Sequence, residues 1–170
     1  MKLQVENTKL ERVKLIHPST QHEDFRGDYV ELYHTEMYRA AGITDDFVQD
    51  DFATSTKHVL RGIHGDARTA KLVSCLFGRL YFVAVNNDPA SKQYRQWQSF
   101  TLSDKNNLQL YVPKNFGSAY LVMSPTAVFH YKQSAYYTGQ DGQFTLKWND
   151  PAYKIYWPVK NPILSERDFA

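Results

Sequence analysis

The chain has 170 residues, 42% of them hydrophobic and 22% charged, and 20 basic against 18 acidic side chains leave a formal charge of +2. That length suits one domain with a core needing no staples, and the balance excludes a disordered chain, a nucleic-acid-binding stripe and a polybasic membrane anchor. No apolar run nears the roughly 20 residues that span a bilayer, and the polar opening Met1–Asn7 does not read as a secretory leader, so a soluble, cytoplasmic protein is expected.

In chain order, the first clear element is a helix expected over Leu32–Ala41, stopped by Gly42. Val59-Leu60-Arg61-Gly62-Ile63-His64 then sets a histidine beside an arginine and a flexible glycine, with Lys71 seven residues further on. Histidine titrates near neutral pH and can take a proton that a carboxylate hardly touches. Neighbouring cations can hold the negative charge left behind. Proton abstraction from a carbonyl compound needs this combination, although a hydrogen-bonded structural histidine fits the segment too.

Ala70–Phe77 reads as a strand, Gly78-Arg79 as a tight turn and Leu80–Val85 as the hairpin partner. The single cysteine, Cys75, falls in that apolar run and reads as a small buried hydrophobe. Turn chemistry at Asn86-Asn87-Asp88-Pro89 breaks the sheet. Further strands are expected at Trp97–Leu102, Leu108–Val112, Tyr120–Met123, Ala127–Gln133 and Phe144–Trp148. Many short strands at regular spacing imply an all-β barrel or sandwich. No linker, low-complexity tract or internal repeat divides it, so one domain over 1–170 is expected.

His130-Tyr131-Lys132-Gln133-Ser134-Ala135-Tyr136-Tyr137 ends one of these strands. An inward Tyr131 phenol would suit a general acid opposite a histidine base, although on these residues alone Tyr131 and Tyr137 read first as aromatics that cover the core. The His-x-His pair of metal-binding β-barrels is missing, because Gly65 and Asp66 follow His64, and no metal is expected. No G-x-S-x-G, Walker loop or G-x-G-x-x-G argues for a hydrolase, an ATPase or a dinucleotide enzyme. The closing stretch from Trp157-Pro158 to Asp168 reads as an ordered tail across the barrel, able to deliver Asp168 to a site built elsewhere.

Taken together, Phe25-Arg26-Gly27, Val59–His64, Lys71-Leu72-Val73, Leu110-Tyr111-Val112-Pro113, Tyr131-Lys132, Trp148-Asn149-Asp150-Pro151, Trp157-Pro158 and Leu164–Asp168 run collinearly over nearly the whole chain. In this order they resemble the dTDP-4-dehydrorhamnose 3,5-epimerase family of the cupin superfamily. The resemblance implies a double-stranded β-helix, a homodimer with exchanged N-terminal strands, and no cofactor or metal. It also implies epimerisation at C3, C5 or both of a nucleotide-linked 4-keto-6-deoxy sugar in surface-polysaccharide synthesis.

By the same resemblance His64 is the base, Asp168 its orienting carboxylate, Tyr131 the acid on the opposite face, and Lys71 with Arg61 the cations beside the enolate oxygen. Arg26, Glu31, Gln49 and Tyr137 would hold the nucleotide sugar, Arg26 reaching across the dimer, with Asp51, Ser118 and Arg167 near the sugar. Ser118 stands where the family carries a second histidine. Asp66 and Pro162-Ile163-Leu164-Ser165 look closer to a branch acting on GDP-linked heptoses. A 3,4-ketoisomerase and a non-catalytic sugar-nucleotide-binding cupin are the competing expectations.

Overall fold

The computed structural model describes residues 3–19 and 21–169. In chain order its strands are β1 (Gln4–Asn7), β2 (Lys14–His17), β3 (Gln21–Asp24), β4 (Gly27–Val30), β5 (Gln49–Thr56), β6 (Leu60–Gly65), β7 (Lys71–Phe77), β8 (Arg79–Asn86), β9 (Trp97–Ser103), β10 (Gln109–Val112), β11 (Phe116–Val122), β12 (Thr126–Gln133) and β13 (Phe144–Thr145). The helix α1 (Thr35–Ala40) lies between β4 and β5. A six-stranded sheet runs β1-β2-β10-β7-β12-β5 and a five-stranded sheet β13-β6-β11-β8-β9, while β3 and β4 form a hairpin of their own. All the ladders within these sheets are antiparallel. This is the all-β, jelly-roll arrangement that the sequence implies.

The pleat sorts side chains between layers. From β8, Leu80, Phe82 and Ala84 meet Val73 and Cys75 of β7 and Phe129 of β12 in the core between the sheets. Each such large side chain contributes about 1.5–3 kcal/mol through burial. Val83 and Val85 point the other way, under Tyr153, Leu146 and Trp157 of the C-terminal stretch. On the outer face of the six-stranded sheet, α1 lays Tyr38 over Ile16 and Leu72. The Tyr38 hydroxyl is satisfied by the Leu32 carbonyl, 2.8 Å away, and by Gln109.

Several boundaries differ from expectation. The run from Ala70 to Val85 is two strands joined by a tight turn, but they do not pair: β7 bonds to β10 and β12, β8 to β11 and β9. Gly78, at φ +80°, carries the chain from one sheet to the other, where a Cβ would lie 2.3 Å from the Thr126 carbonyl oxygen. Adjacency along the chain suggested a hairpin; burial on both faces of both strands placed each in the middle of its own sheet. The helix shortens to Thr35–Ala40, β11 begins earlier at Phe116, and the strand expected at Phe144–Trp148 keeps two residues. The six strands β1 to β6 went unread as strands.

Candidate active site

His64 and Arg61 reach the interior together because β6 is irregular. His64 lies opposite Ser118 and Arg61 opposite Tyr120, so three steps along β6 match two along β11. In an unbroken strand residues 61 and 64 would face opposite sides; the bulge turns both inward. Gly62 permits it, with φ +120° and room for no Cβ, which would lie 2.5 Å from the Ser118 carbonyl oxygen. From the other sheet, β7 presents Lys71 and β12 presents Tyr131 and Gln133. His64 and Tyr131 therefore stand on opposite walls.

The tail closes the construction. Ile163 pairs in parallel with Val59, its amide donating to the His58 carbonyl oxygen at 2.8 Å and its carbonyl accepting from the Leu60 amide at 2.9 Å. This swings the turn Glu166–Phe169 over β6. Asp168 Oδ1 comes within 2.7 Å of His64 Nε2, with side-chain exposures of 2% and 21%. The pair is a charged one whenever the ring carries its second proton. Ser165 Oγ donates to Asp168 Oδ2 at 2.7 Å and the Gly62 amide to Oδ1 at 3.4 Å.

Two connected chambers result. An outer one of about 650 Å³ is bordered by Tyr137, Gln140, Gln143 and the 165–168 turn. An inner one of about 180 Å³ is floored by Ser118, Tyr120, Phe129 and Ala53. Arg61, His64, Lys71 and Tyr131 border both and form the neck between them. The outer space suits a nucleotide and the inner one a single sugar ring.

Burial works to raise the Asp168 carboxyl, but His64 and Ser165 outweigh it and hold it below the ordinary carboxylate range. Burial, then Asp51, Tyr120 and Tyr137, pushes the Tyr131 phenol up against a smaller opposing pull from Arg61, so it keeps its proton at neutral pH. Burial also lowers Lys71, a trend Asp66 opposes and Arg167 reinforces. An uncharged phenol, an imidazole backed by a carboxylate, and three cations around one cavity equip it to move a proton and to steady an anion. Among the described residues no three His, Cys, Asp or Glu side chains converge as a metal site.

Of the residues singled out in the sequence, His64, Tyr131, Asp168, Lys71, Arg61, Ser118, Tyr137 and Arg167 border the chambers. Arg167 donates to Thr145 and Gln143, each at 3.1 Å. Gln49 and Asp51 stand one layer behind: Asp51 accepts from Gln49 at 2.7 Å and from Gln133 at 3.1 Å, and Gln49 accepts from the Tyr137 amide at 2.8 Å. Arg26 and Glu31 do not border the cavity of their own chain. Arg26 sits at the tip of the β3–β4 hairpin, 2.6 Å from Asp24. Asp66 accepts from the Arg68 and Thr69 amides, both at 2.7 Å, and shapes a turn. Gln133 at the end of β12, and Gln140 and Gln143 after it, were missed, since a lone amide carries no motif, and Tyr120 passed as an ordinary strand aromatic.

The profile of the family described as dTDP-4-dehydrorhamnose 3,5-epimerase matches residues 7–170. The dTDP-4-dehydrorhamnose 3,5-epimerase of Escherichia coli strain K12 is 35% identical over 171 residues, covering 98% of this chain and 91% of that protein. The epimerase structure from Legionella pneumophila, in complex with dTDP-4-keto-L-rhamnose, is 36% identical, with a TM-score of 0.92 over 98% of this chain and 89% of that one. The Bacillus anthracis enzyme with TDP and pyrophosphate bound is 33% identical, with a TM-score of 0.93 over 98% and 97%. These relatives lend no support to the GDP-heptose branch, and Asp66, which had pointed there, is occupied in its turn. Fold and sequence agree over nearly the whole chain, which belongs to the dTDP-4-dehydrorhamnose 3,5-epimerase family.

Proposed function

We propose that the protein epimerises a dTDP-linked 4-keto-6-deoxyhexose at C3, C5 or both, for surface-polysaccharide synthesis. The observation that carries this reading is His64, its Nε2 2.7 Å from the Asp168 carboxylate, facing Tyr131 across one neck from the opposite sheet. With the sugar in the inner chamber, His64 removes a proton from carbon next to the C4 ketone. Asp168 stabilises the imidazolium that forms. Lys71 and Arg61 hold the enolate oxygen, and a fixed cation in a low-dielectric site is worth more than one in water. Tyr131 returns a proton to the other face, which inverts the centre. Arg167 and Tyr137 border the outer chamber, where the nucleotide diphosphate would lie.

The hairpin carrying Arg26 belongs to the same reading. Phe25 beside it is 99% exposed, and Phe52 at 70% and Leu76 at 42% lie on the uncovered part of the six-stranded sheet. Exposed aromatics on this scale mark a contact surface. We read it as the seam of a homodimer in which the hairpin brings Arg26 and Glu31 toward the partner's cavity; sedimentation at micromolar concentration should give twice the chain mass. A cytoplasmic setting is part of the proposal, and among the described residues no helix is long and apolar enough to cross a membrane.

Proton NMR in deuterium oxide tests the chemistry. Incubation with a dTDP-linked 4-keto-6-deoxyhexose should place solvent deuterium at C3 or C5 and give an inverted product. Tyr131→Phe should still exchange but invert poorly, because the base can only return a proton to the face it left. Absence of exchange would remove the epimerase reading, movement of the carbonyl would indicate a ketoisomerase, and turnover only of a GDP-linked heptose would reassign the substrate.

A further inference from the structure

On the floor of the inner chamber one polar group lacks a partner. The Tyr120 hydroxyl is buried, and among the described residues nothing completes a hydrogen bond to it. Tyr120 as a whole is only 5% exposed. Buried phenols ordinarily find a partner. A hydroxyl without one weakens a fold relative to the bare ring, so folding gives no reason for this one.

Its surroundings suggest a purpose. The ring packs at a tilt against Phe129 with centroids 4.3 Å apart, and Phe129 stacks in turn on Tyr131 at 5.2 Å, so the phenol has little freedom to turn away. Strand register sets Tyr120 directly across from Arg61. Arg61 and Tyr120 border the same inner chamber; burial pushes the phenol up, while Ser55 and the Arg61 guanidinium pull it down. Ser55 Oγ already accepts the Arg61 Nε–H at 3.2 Å. A guanidinium has five N–H donors, and among the described residues only Nε–H is engaged.

We propose that Tyr120 and Ser55 form a socket for Arg61, the phenol oxygen accepting a guanidinium N–H when the cation is drawn toward a substrate oxygen. Tyr120 is then a positioning residue acting through Arg61, and it fixes where positive charge meets the enolate. The inference rests on the epimerase reading for its kinetic consequence and on the chamber's geometry for the socket itself.

A double-mutant cycle of Tyr120→Phe and Arg61→Lys, read by solvent-deuterium incorporation and by the NMR signal of the Arg61 Nε–H, tests it. Tyr120→Phe should keep or raise the melting temperature and lower kcat about tenfold. In the Arg61→Lys background it should change nothing further. The Arg61 signal, assigned by its loss in Arg61→Lys, should shift or broaden in Tyr120→Phe. Additive kinetic effects, or an Arg61 signal unmoved by Tyr120→Phe, would overturn the socket. If the unmodified protein exchanges no deuterium, the epimerase reading fails by itself, and the Arg61 signal alone decides for or against the socket.

Discussion

Along β7, Val73 and Cys75 sit in the apolar core, whereas Lys71, on the same face two residues earlier, borders the cavity. β12 repeats the division, with Ala127 and Phe129 in the core and Tyr131 and Gln133 beside the chambers. One pair of sheets thus encloses two interiors. In the packed half, Leu80, Phe82, Leu102 and Leu110 are wholly buried and every methylene counts toward stability. In the open half, Arg61, Lys71 and Arg167 share a space with His64 and Asp168, and burial works against the charges of Lys71 and Asp168. Substitutions should therefore separate cleanly: the packed half governs folding and the open half governs chemistry.

The sharpest way to break that comparison is His64→Asn. Loss of a general base typically costs 10²–10⁴ in rate, so deuterium exchange should fall by about that range while the chain stays folded, its melting temperature lowered only by loss of the imidazole beside the buried Asp168 carboxylate. A variant that unfolds instead would show that the histidine belongs to the scaffold. The converse is Phe82→Ala, expected to cost about 3–5 kcal/mol in denaturant unfolding while the folded fraction keeps its turnover. Equal losses of stability and specific activity would blur the division.

A smaller effect sharpens it through pH. Asp168 ionises more readily in the folded chain than in the unfolded one. Its contribution is complete above the ordinary carboxylate pKa of about 3.9 and fades as pH falls through the lower folded value. Asp168→Asn should therefore lose less stability than the parent between about pH 5 and about pH 2, measured by urea unfolding; parallel acid slopes would contradict the ion pair. Smallest of all is Cys75 in the packed half, its thiol pushed up to about 12 by burial. Iodoacetamide at neutral pH should leave it unlabelled until the chain is unfolded.

How much was legible follows the same division. β8 and β12 announce themselves through runs of Val, Phe and Tyr, because packed strands are apolar for the reason that makes them fold. β5 does not, since its inward positions Asp51, Ala53 and Ser55 serve the cavity side and spoil the alternation. β6 was recognised as a motif rather than as a strand, because Arg61, Gly62 and His64 answer to chemistry and to a bulge.

Residue order alone determined the fold class and the family pattern and offered His64 and Tyr131 as candidates to move a proton, since apolar periodicity and side-chain chemistry are properties of the chain itself. Only tertiary structure decided that β7 and β8 part at Gly78, that a bulge brings residues 61 and 64 to one side, and that the tail sets Asp168 against His64. These are long-range pairings, and their register depends on contacts between segments as much as 106 residues apart, which no local pattern encodes.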